Sequence, residues 1–200
     1  STLIDEGGEA FINMNTFPDI FRVDLGIYVE AFVNWLTLNF QGFFDALTIA
    51  IKWVVFNIQN ILAIIPWFLF ILLVFLIGWK IKNLKSGITY ACMIFLIGLL
   101  GLWGEMIFTL SIVITSVILS ILIGVPIGIY MAYSRKLEIF MNPLLDGMQT
   151  MPSFVYLIPA MIFFGLGTVP AVFATIIYST PPCIRLTCLA IKRVPEEMRE

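Results

Sequence analysis

Long apolar stretches, separated by short polar or glycine-containing segments, dominate the chain from Ile64 onward. Five of these stretches approach the roughly 20 residues that a helix needs to cross a bilayer. The pattern predicts helical spans over 64–79, 87–103, 106–133, 152–164 and 169–189. The fourth stretch is short for a crossing, so its helix is expected to begin before Pro152.

The first 62 residues follow a different pattern. Ser1–Asp24 is polar and acidic, and we expect it to be loosely ordered. From Ile27 to about Leu47, aromatic and aliphatic positions recur at helical spacing opposite polar ones. This predicts an amphipathic helix in the membrane interface or, alternatively, a helix packed on the protein's own membrane domain. The next stretch, 49–65, is apolar but contains Lys52, Asn57, Gln59 and Asn60. Since such groups are costly inside a bilayer, we expect this stretch to continue along the interface or to insert only shallowly.

Composition indicates an integral membrane protein. Hydrophobic residues make up 60% of the chain and charged residues only 12%, whereas soluble domains contain about 25% charged residues. A net charge of −2 gives no general attraction to nucleic acid. The chain has no histidine, and its three cysteines lie in apolar stretches without metal-ligand spacing, so no metal site or cofactor is expected in it. An intramembrane enzyme is disfavoured for the same reason, and the expected fold class is an all-α polytopic helical bundle.

Basic residues follow the first, third and fifth predicted spans. They are Lys80, Lys82, Lys85, Arg135, Lys136, Arg185, Lys192, Arg193 and Arg199. The positive-inside rule places these segments in the cytoplasm, so five spans put the N-terminus outside. A further span hidden in 49–65 would break this agreement.

Small residues recur every fourth position along the third predicted span, at Ser116, Ser120, Gly124, Gly128 and Ala132. Such a stripe lets another helix backbone come close, so helix packing is its predicted role. Pro126 lies in the same stretch and is expected to bend the helix or loosen a turn.

Polar groups and prolines in the fourth and fifth spans predict a translocation path. Irregular backbone at membrane depth is tolerated only where it is buried in protein or lines a cavity. We expect Pro159 to interrupt the fourth span, and Pro181 and Pro182 to break the fifth beside the path, with a static kink as the alternative. The candidate path residues are Gln149, Thr150, Met151, Pro152, Phe154, Tyr156, Tyr178, Ser179, Pro181 and Pro182. For the three aromatic residues, packing between helices is the alternative.

A helix-start pattern closes the chain. Proline in a first turn beside carboxylates favours a helix N-terminus, since carboxylates are stabilised at the positive end of the helix dipole. We predict a cytoplasmic helix here that takes force from a partner, with a solvated helix as the alternative. The residues concerned are Pro195, Glu196, Glu197, Arg199 and Glu200.

Four segments, MQTMPSFVYLIP, FGLGTVPAVFATIIY, PPCIRLT and AIKRVPEEMRE, resemble the membrane permease of bacterial ABC importers for glycine betaine and related osmoprotectants. The resemblance is dense from Trp103 to Glu200 and weaker upstream. In such permeases an E-A-A motif docks in a groove of the ATPase subunit, and Glu200 matches its first residue. The resemblance therefore implies part of a longer permease: an external tail and interfacial helix over 1–62, a two-span scaffold over 63–103, and the N-terminal part of the permease core over 104–200.

The same resemblance implies the assembly and its cargo. We expect a bundle of the type I importer permease kind in the bacterial cell membrane, with a second permease copy, a cytosolic ABC ATPase that binds ATP and Mg, and an extracellular binding protein or fused binding domain. The chain itself would be no enzyme. The expected solute is glycine betaine or a related quaternary-ammonium compound. Another small solute, such as an amino acid, is one alternative, and a tension-gated channel, suggested by the interfacial helix and the small-residue stripe, is another.

Overall fold

A computed structural model describes residues 25–194, and over this range the chain is almost entirely α-helical, without a β-strand. The predicted all-α fold is therefore confirmed. The expectation for residues 1–24 and that for the helix start at 195–200 lie outside the described residues. The helices are α1 (Leu25–Asn39), α2 (Gln41–Ile64), α3 (Trp67–Ile81), α4 (Leu84–Leu99), α5 (Trp103–Tyr133), α6 (Arg135–Thr150), α7 (Phe154–Phe164) and α8 (Thr168–Lys192).

The predicted amphipathic helix over 27–47 is divided between two helices. α1 ends at Asn39 and α2 begins at Gln41, and the Phe40 N–H between them donates to the carbonyl of Leu36 at 3.0 Å. Within α1 the rings of Phe32 and Trp35 are stacked with centroids 6.4 Å apart, and both side chains are exposed. The part of the predicted helix after Phe40 belongs to a longer helix that continues to Ile64.

α2 is 24 residues long and apolar enough to cross a membrane by length and composition. Its Ile51 and Val55 are buried in a cluster with Val169 and Val172 of α8, while Lys52 remains exposed. α2 is therefore a candidate span, in place of the continuation along the interface that we expected. Consequently, the number of spans no longer decides by itself on which side the N-terminus lies.

α3 and α4 form an antiparallel hairpin whose backbones touch. A Cβ placed on Gly87 would lie 2.7 Å from the carbonyl oxygen of Phe75, and one on Gly78 would lie 2.7 Å from a ring carbon of Tyr90. Asn83 caps the second helix by accepting from Ser86 N–H at 2.8 Å. The two helices have 15 and 16 residues, fewer than the roughly 20 that cross a bilayer. The two spans predicted here are thus shorter apolar helices.

The parallel packing of α5 on α8 is the main contact of the bundle. Gly124 faces Cys183, and Gly128 faces Ile184 and Thr187, so positions on the two helices advance together. A Cβ on Gly128 would lie 2.7 Å from Cβ of Thr187 and 2.8 Å from the carbonyl oxygen of Ile184. We call this contact the α5–α8 seam. Ser116, Ser120, Gly124 and Gly128 of the predicted stripe are all buried in it.

The fourth predicted span is broken rather than continuous. α6 and α7 meet at 91° across Met151–Ser153. Met151 has extended backbone angles (φ −78°, ψ 134°), because a residue that precedes proline avoids the α conformation. The helix that precedes Pro152 therefore does not continue into α7, contrary to our expectation.

Four other prolines do not interrupt their helices. Pro126 lies inside α5, Pro159 inside α7, and Pro181 and Pro182 inside α8. The expected break at 181–182 was wrong, since α8 continues to Lys192. Proline at 181 and 182 removes the N–H donors to two carbonyls one turn earlier, but Pro181 is buried in the bundle. Transmembrane helices tolerate such prolines where neighbouring groups replace the lost bonds.

We expect Gly128→Ala to destabilise the protein by about 1–3 kcal/mol, because the added methyl meets the carbonyl oxygen of Ile184 and the Cβ of Thr187, neither of which can rotate away. The matched control is Gly104→Ala in the same helix, where an added Cβ meets nothing within 4 Å. Thermal unfolding of the purified protein in detergent checks the difference. Equal melting temperatures for the two variants would show that the α5–α8 seam has room to relax.

Candidate functional site: the broken helix and its contacts with α8

α6 begins where the side chain of Ser134 accepts from the N–H of Leu137 at 3.4 Å. One face of α6 is apolar, and Leu145 on that face is fully buried. Leu145 packs in a cluster with Met131 of α5 and with Ile184 and Cys188 of α8. α6 is therefore held against both helices of the α5–α8 seam.

Side chains on both sides of the bend stabilise its geometry. The Tyr156 hydroxyl donates to the carbonyl of Met148 at 3.0 Å, which ties the first turn of α7 to the last turn of α6. The Thr150 hydroxyl donates to the carbonyl of Gly147 at 3.1 Å. The Met148 carbonyl lies in the last turn of α6, where main-chain donors run out, and the Gly147 carbonyl also accepts from the Met151 N–H at 3.2 Å.

Charged side chains join α6 to α8. Arg185 forms an ion pair with Asp146, and its Nη2 also donates to the carbonyl of Asn142 at 3.4 Å. Lys192 pairs with Glu138, with 2.5 Å between Nζ and Oε1. The Arg185 Nε is buried and has no acceptor among the described residues, so the guanidinium is only partly satisfied.

Hydroxyl side chains line the α5–α8 seam on the N-terminal side of its glycines. Ser120 and Ser179 are hydrogen-bonded across it at 2.5 Å, and the Ser179 hydroxyl also lies 2.7 Å from the carbonyl of Thr175. The Ser116 hydroxyl donates to its own helix, to the carbonyl of Ile112 at 2.8 Å. Because carbonyls satisfy these groups, the row joins two helices and offers no activated nucleophile.

The predicted path residues fall into two groups. Those around the bend are exposed, except for the half-buried Tyr156, and Tyr178 on α8 is exposed as well. Ser179, Pro181 and Pro182 are instead buried or half-buried on α8. The exposed members are Gln149, Thr150, Met151, Pro152, Phe154 and Tyr178.

An apolar groove of about 410 Å³ lies beside the bend between α2, α7 and α8. Its aromatic rings face one another: Phe44 stacks on Phe163 with centroids 5.1 Å apart, and Phe164 stacks on Phe173 at 4.5 Å. Since these faces are covered by neighbouring rings, the groove is packed aromatic surface rather than an open cage for a cation.

The described side chains of the site fix helix positions and carry charge. Among residues 25–194 there is no cluster of three His, Cys, Asp or Glu side chains that could hold a metal ion. The predicted coupling residues 195–200 lie outside the described residues. What the arrangement can do is mechanical: it links the end of α8 to α6, and α6 to α7 through the bend.

Sequence reasoning missed the role of the residues that join α6 to α8. The signal was present as matched spacing. Glu138 and Asp146 are eight residues apart, and Arg185 and Lys192 are seven apart, which corresponds to about two helical turns in each case. The sequence does not show which acidic side chain meets which basic one, because that depends on helix packing.

Comparison with known proteins gives the geometry a context. Residues 124–200 match the sequence profile of the binding-protein-dependent transport system inner membrane component family. The chain is 41% identical to a glycine betaine transport system permease protein of Bacillus subtilis, over 90% of this chain and 64% of that protein. It is 42% identical to a glycine betaine/carnitine transport permease protein of Listeria monocytogenes, over 92% and 66%. It is 35% identical to a glycine betaine/proline betaine transport system permease protein of Escherichia coli, over 89% and 50%.

The chain thus spans between half and two thirds of the length of these relatives. The matched profile covers the second half of α5, the broken helix, α8 and the residues after it. Residues 124–200 are thus similar to the binding-protein-dependent transport system inner membrane components, and about nine tenths of the chain is similar to proteins named as permeases.

Proposed function

We propose that this chain is part of the transmembrane permease of an ATP-driven importer of glycine betaine or a related quaternary-ammonium solute. The observation that carries the proposal is the similarity over about nine tenths of the chain to three permease proteins whose names include glycine betaine. The all-α bundle with its broken helix agrees with a membrane protein that moves a solute by changing shape.

In this proposal the partners are a cytosolic ABC ATPase, a second copy of the permease, and an extracellular binding protein or fused binding domain, all within lipid of the bacterial cell membrane. ATP and Mg are bound by the ATPase, and this chain performs no hydrolysis. The solute path runs beside the bend, where Gln149, Thr150 and Phe154 are exposed together with Tyr178 of α8. The half-buried Ser179 and the buried Pro181 support the α8 wall of that path from the seam side.

Orientation follows from the basic side chains. Lys80, Lys82 and Lys85 near the α3–α4 turn, and Lys192 and Arg193 at the end of α8, are exposed, which favours a cytoplasmic side for both. The N-terminus is then outside if α2 does not cross. The exposed Lys52 in α2 supports this arrangement, since a lysine at the centre of a span costs about 2.5–3.5 kcal/mol.

Membrane vesicles that contain the complete permease, its ATPase and its binding protein should accumulate labelled glycine betaine only when ATP reaches the ATPase. Uptake measured with ATP, with a non-hydrolysable analogue and without nucleotide tests this directly. Accumulation that needs no hydrolysis would contradict the proposal and favour a channel. ATP-driven uptake of an amino acid in place of glycine betaine would support an ATP-driven transporter but contradict the proposed solute.

Single cysteines, placed in a variant that lacks the three native ones, report the orientation. We expect Ser1→Cys to react with a membrane-impermeant thiol reagent in intact cells, because the N-terminus is proposed to be external. The matched control Lys82→Cys, in the α3–α4 turn, should react only after permeabilisation. Protection of Ser1→Cys in intact cells would show that α2 crosses the membrane.

We propose that the segment Pro195–Glu200 contacts the ATPase through its carboxylates. Glu196→Lys or Glu200→Lys should then lower ATPase stimulation and uptake by about tenfold or more, since close charge pairs across an interface contribute about 1.5 kcal/mol or more. Membrane insertion should stay normal. The control Glu105→Lys changes the same residue type at the opposite end of the bundle, where Glu105 is exposed. Full ATPase stimulation and uptake in the Glu196 and Glu200 variants would show that this segment does not couple the permease to the ATPase.

A further inference from the structure

Two ion pairs lie in register between α6 and α8. Glu138 pairs with Lys192, and Asp146 pairs with Arg185. The acidic pair spans about 12 Å along α6 and the basic pair about 10 Å along α8, given a rise of about 1.5 Å per residue. Residue numbers fall along one helix as they rise along the other, so the helices are antiparallel. We call these four residues the ionic ladder.

Apolar packing fills the space between the two rungs. Leu145 is fully buried and lies in one cluster with Ile184 and Cys188 of α8. The antiparallel contact therefore has charged pairs at two levels and a buried leucine near the Asp146 rung. Such a contact resists both sliding and rotation of one helix against the other.

Arg185 adds a contact that fixes the position of α6 along its axis. Its guanidinium binds Asp146 and also the main-chain carbonyl of Asn142, one turn earlier on α6. The planar guanidinium can hold two acceptors at once, whereas a lysine ammonium acts as a point charge.

The rungs contribute little to folding stability, because their side chains remain partly exposed. Arg185 is 36% exposed and Asp146 63%, while Lys192 is 35% exposed and Glu138 23%. Ion pairs with this exposure have a small effect on the free energy of unfolding, since solvent screens them and ordering the side chains is costly. We therefore attribute the alignment of the two ion pairs to a different role, which is to fix the position of α6 relative to α8.

The ionic ladder lies between the C-terminal end of α8 and the bend that joins α6 to α7. Lys192 is the last residue of α8, and only Arg193 and Val194 separate it from the proposed coupling segment. At the other end of α6 the chain turns by 91°, and Tyr156 ties α7 to the last turn of α6. A displacement of the end of α8 would reach the bend through α6, provided that α6 and α8 do not slip.

We propose that Glu138, Asp146, Arg185 and Lys192 are positioning residues that make α6 and the C-terminal turns of α8 move as one body, so that motion at the coupling segment is delivered to the bend at Met151–Ser153. This inference rests on the proposed function. It adds to that function the route by which the ATPase acts on the solute path.

The test uses the complete transporter in proteoliposomes, with uptake and ATP hydrolysis measured together. We expect Asp146→Arg or Arg185→Asp alone to lower the solute transported per ATP by about tenfold, and the double variant, in which the pair is reversed, to recover most of the loss. Lys192→Gln should also lower the solute transported per ATP. Its control is Lys136→Gln, which changes an exposed lysine in the first turn of α6 near Glu138 and should leave transport normal. Melting temperatures of all variants should stay close to that of the unaltered protein.

Distances between spin labels distinguish positioning from plain stabilisation. Labels at Ile139 and Leu189, both exposed, should keep their separation between the nucleotide-free and nucleotide-bound transporter. Labels at Ile139 and Ile162 on opposite sides of the bend should change theirs. Loss of this pattern in Arg185→Asp, with its return in the reversed pair, would support the ladder even where uptake is low.

Three results would overturn the inference. One is normal transport per ATP in the single reversals, and another is a nucleotide-dependent change in the Ile139–Leu189 distance of the unaltered protein. The third is a reversed pair that stays as inactive as the single variants while folding normally. If the unaltered transporter shows no ATP-dependent uptake, the proposed function fails and this inference fails with it. If the unaltered transporter shows ATP-dependent uptake and any of the three results is found, the proposed function stands and only the inference about the ionic ladder is wrong.

Discussion

The close approach of α5 and α8 is the contact on which the remaining structure depends. Lipid is as apolar as leucine, so helices in a membrane gain little from burying hydrophobic surface against each other and rely on van der Waals packing and hydrogen bonds instead. Gly124 and Gly128 allow the two backbones to meet, and the hydrogen bond between Ser120 and Ser179 adds a polar link. With α8 held in this way, α2 packs near its N-terminal end and α6 near its C-terminal end.

Proline has opposite effects in two parts of this bundle, and the surroundings explain the difference. At Met151–Pro152 the chain turns sharply, because a residue before proline avoids the α conformation and both residues are exposed. At Pro181–Pro182 the helix continues, because Pro181 is buried and the flanking turns lie against α5. Packing of the turns before and after Pro181–Pro182 against α5 keeps this part of α8 helical, although two adjacent prolines would by themselves favour a break. The two regions thus differ mechanically: one is a sharp bend between two helices, and the other is part of one continuous helix.

This difference suits the proposed transporter. A continuous α8 connects the α5–α8 seam to the residues that follow Lys192, and a bent partner lies beside it. The described residues hold no metal-binding cluster, and the hydroxyl groups of the seam are engaged with carbonyls or with each other. In the proposed transporter the helices move, and the charged side chains act through the helix positions that they impose. The relatives named as permease proteins share these segments in sequence.

Most of the helical content could be predicted, because long apolar runs in a chain with 12% charged residues have few other stable forms in lipid. The stripe of small residues on α5 was also visible, since a spacing of four residues places them on one helix face. The importer family was recognisable from local motifs between Met148 and Glu200. Each of these features depends on residues close together in the chain.

Tertiary contacts decided what local pattern could not. α2 is a helix of spanning length that buries Ile51 and Val55 against its neighbours, although its polar side chains indicated a shallow position. The pairing of Asp146 with Arg185 joins residues 39 positions apart, and no periodicity within either helix specifies it. The sequence by itself determined the helices, their apolar faces and the small-residue stripe, because these follow from local composition and spacing. Only the tertiary structure decided which helices pack together and whether a helix continues through a proline, because both depend on contacts between residues far apart in the chain.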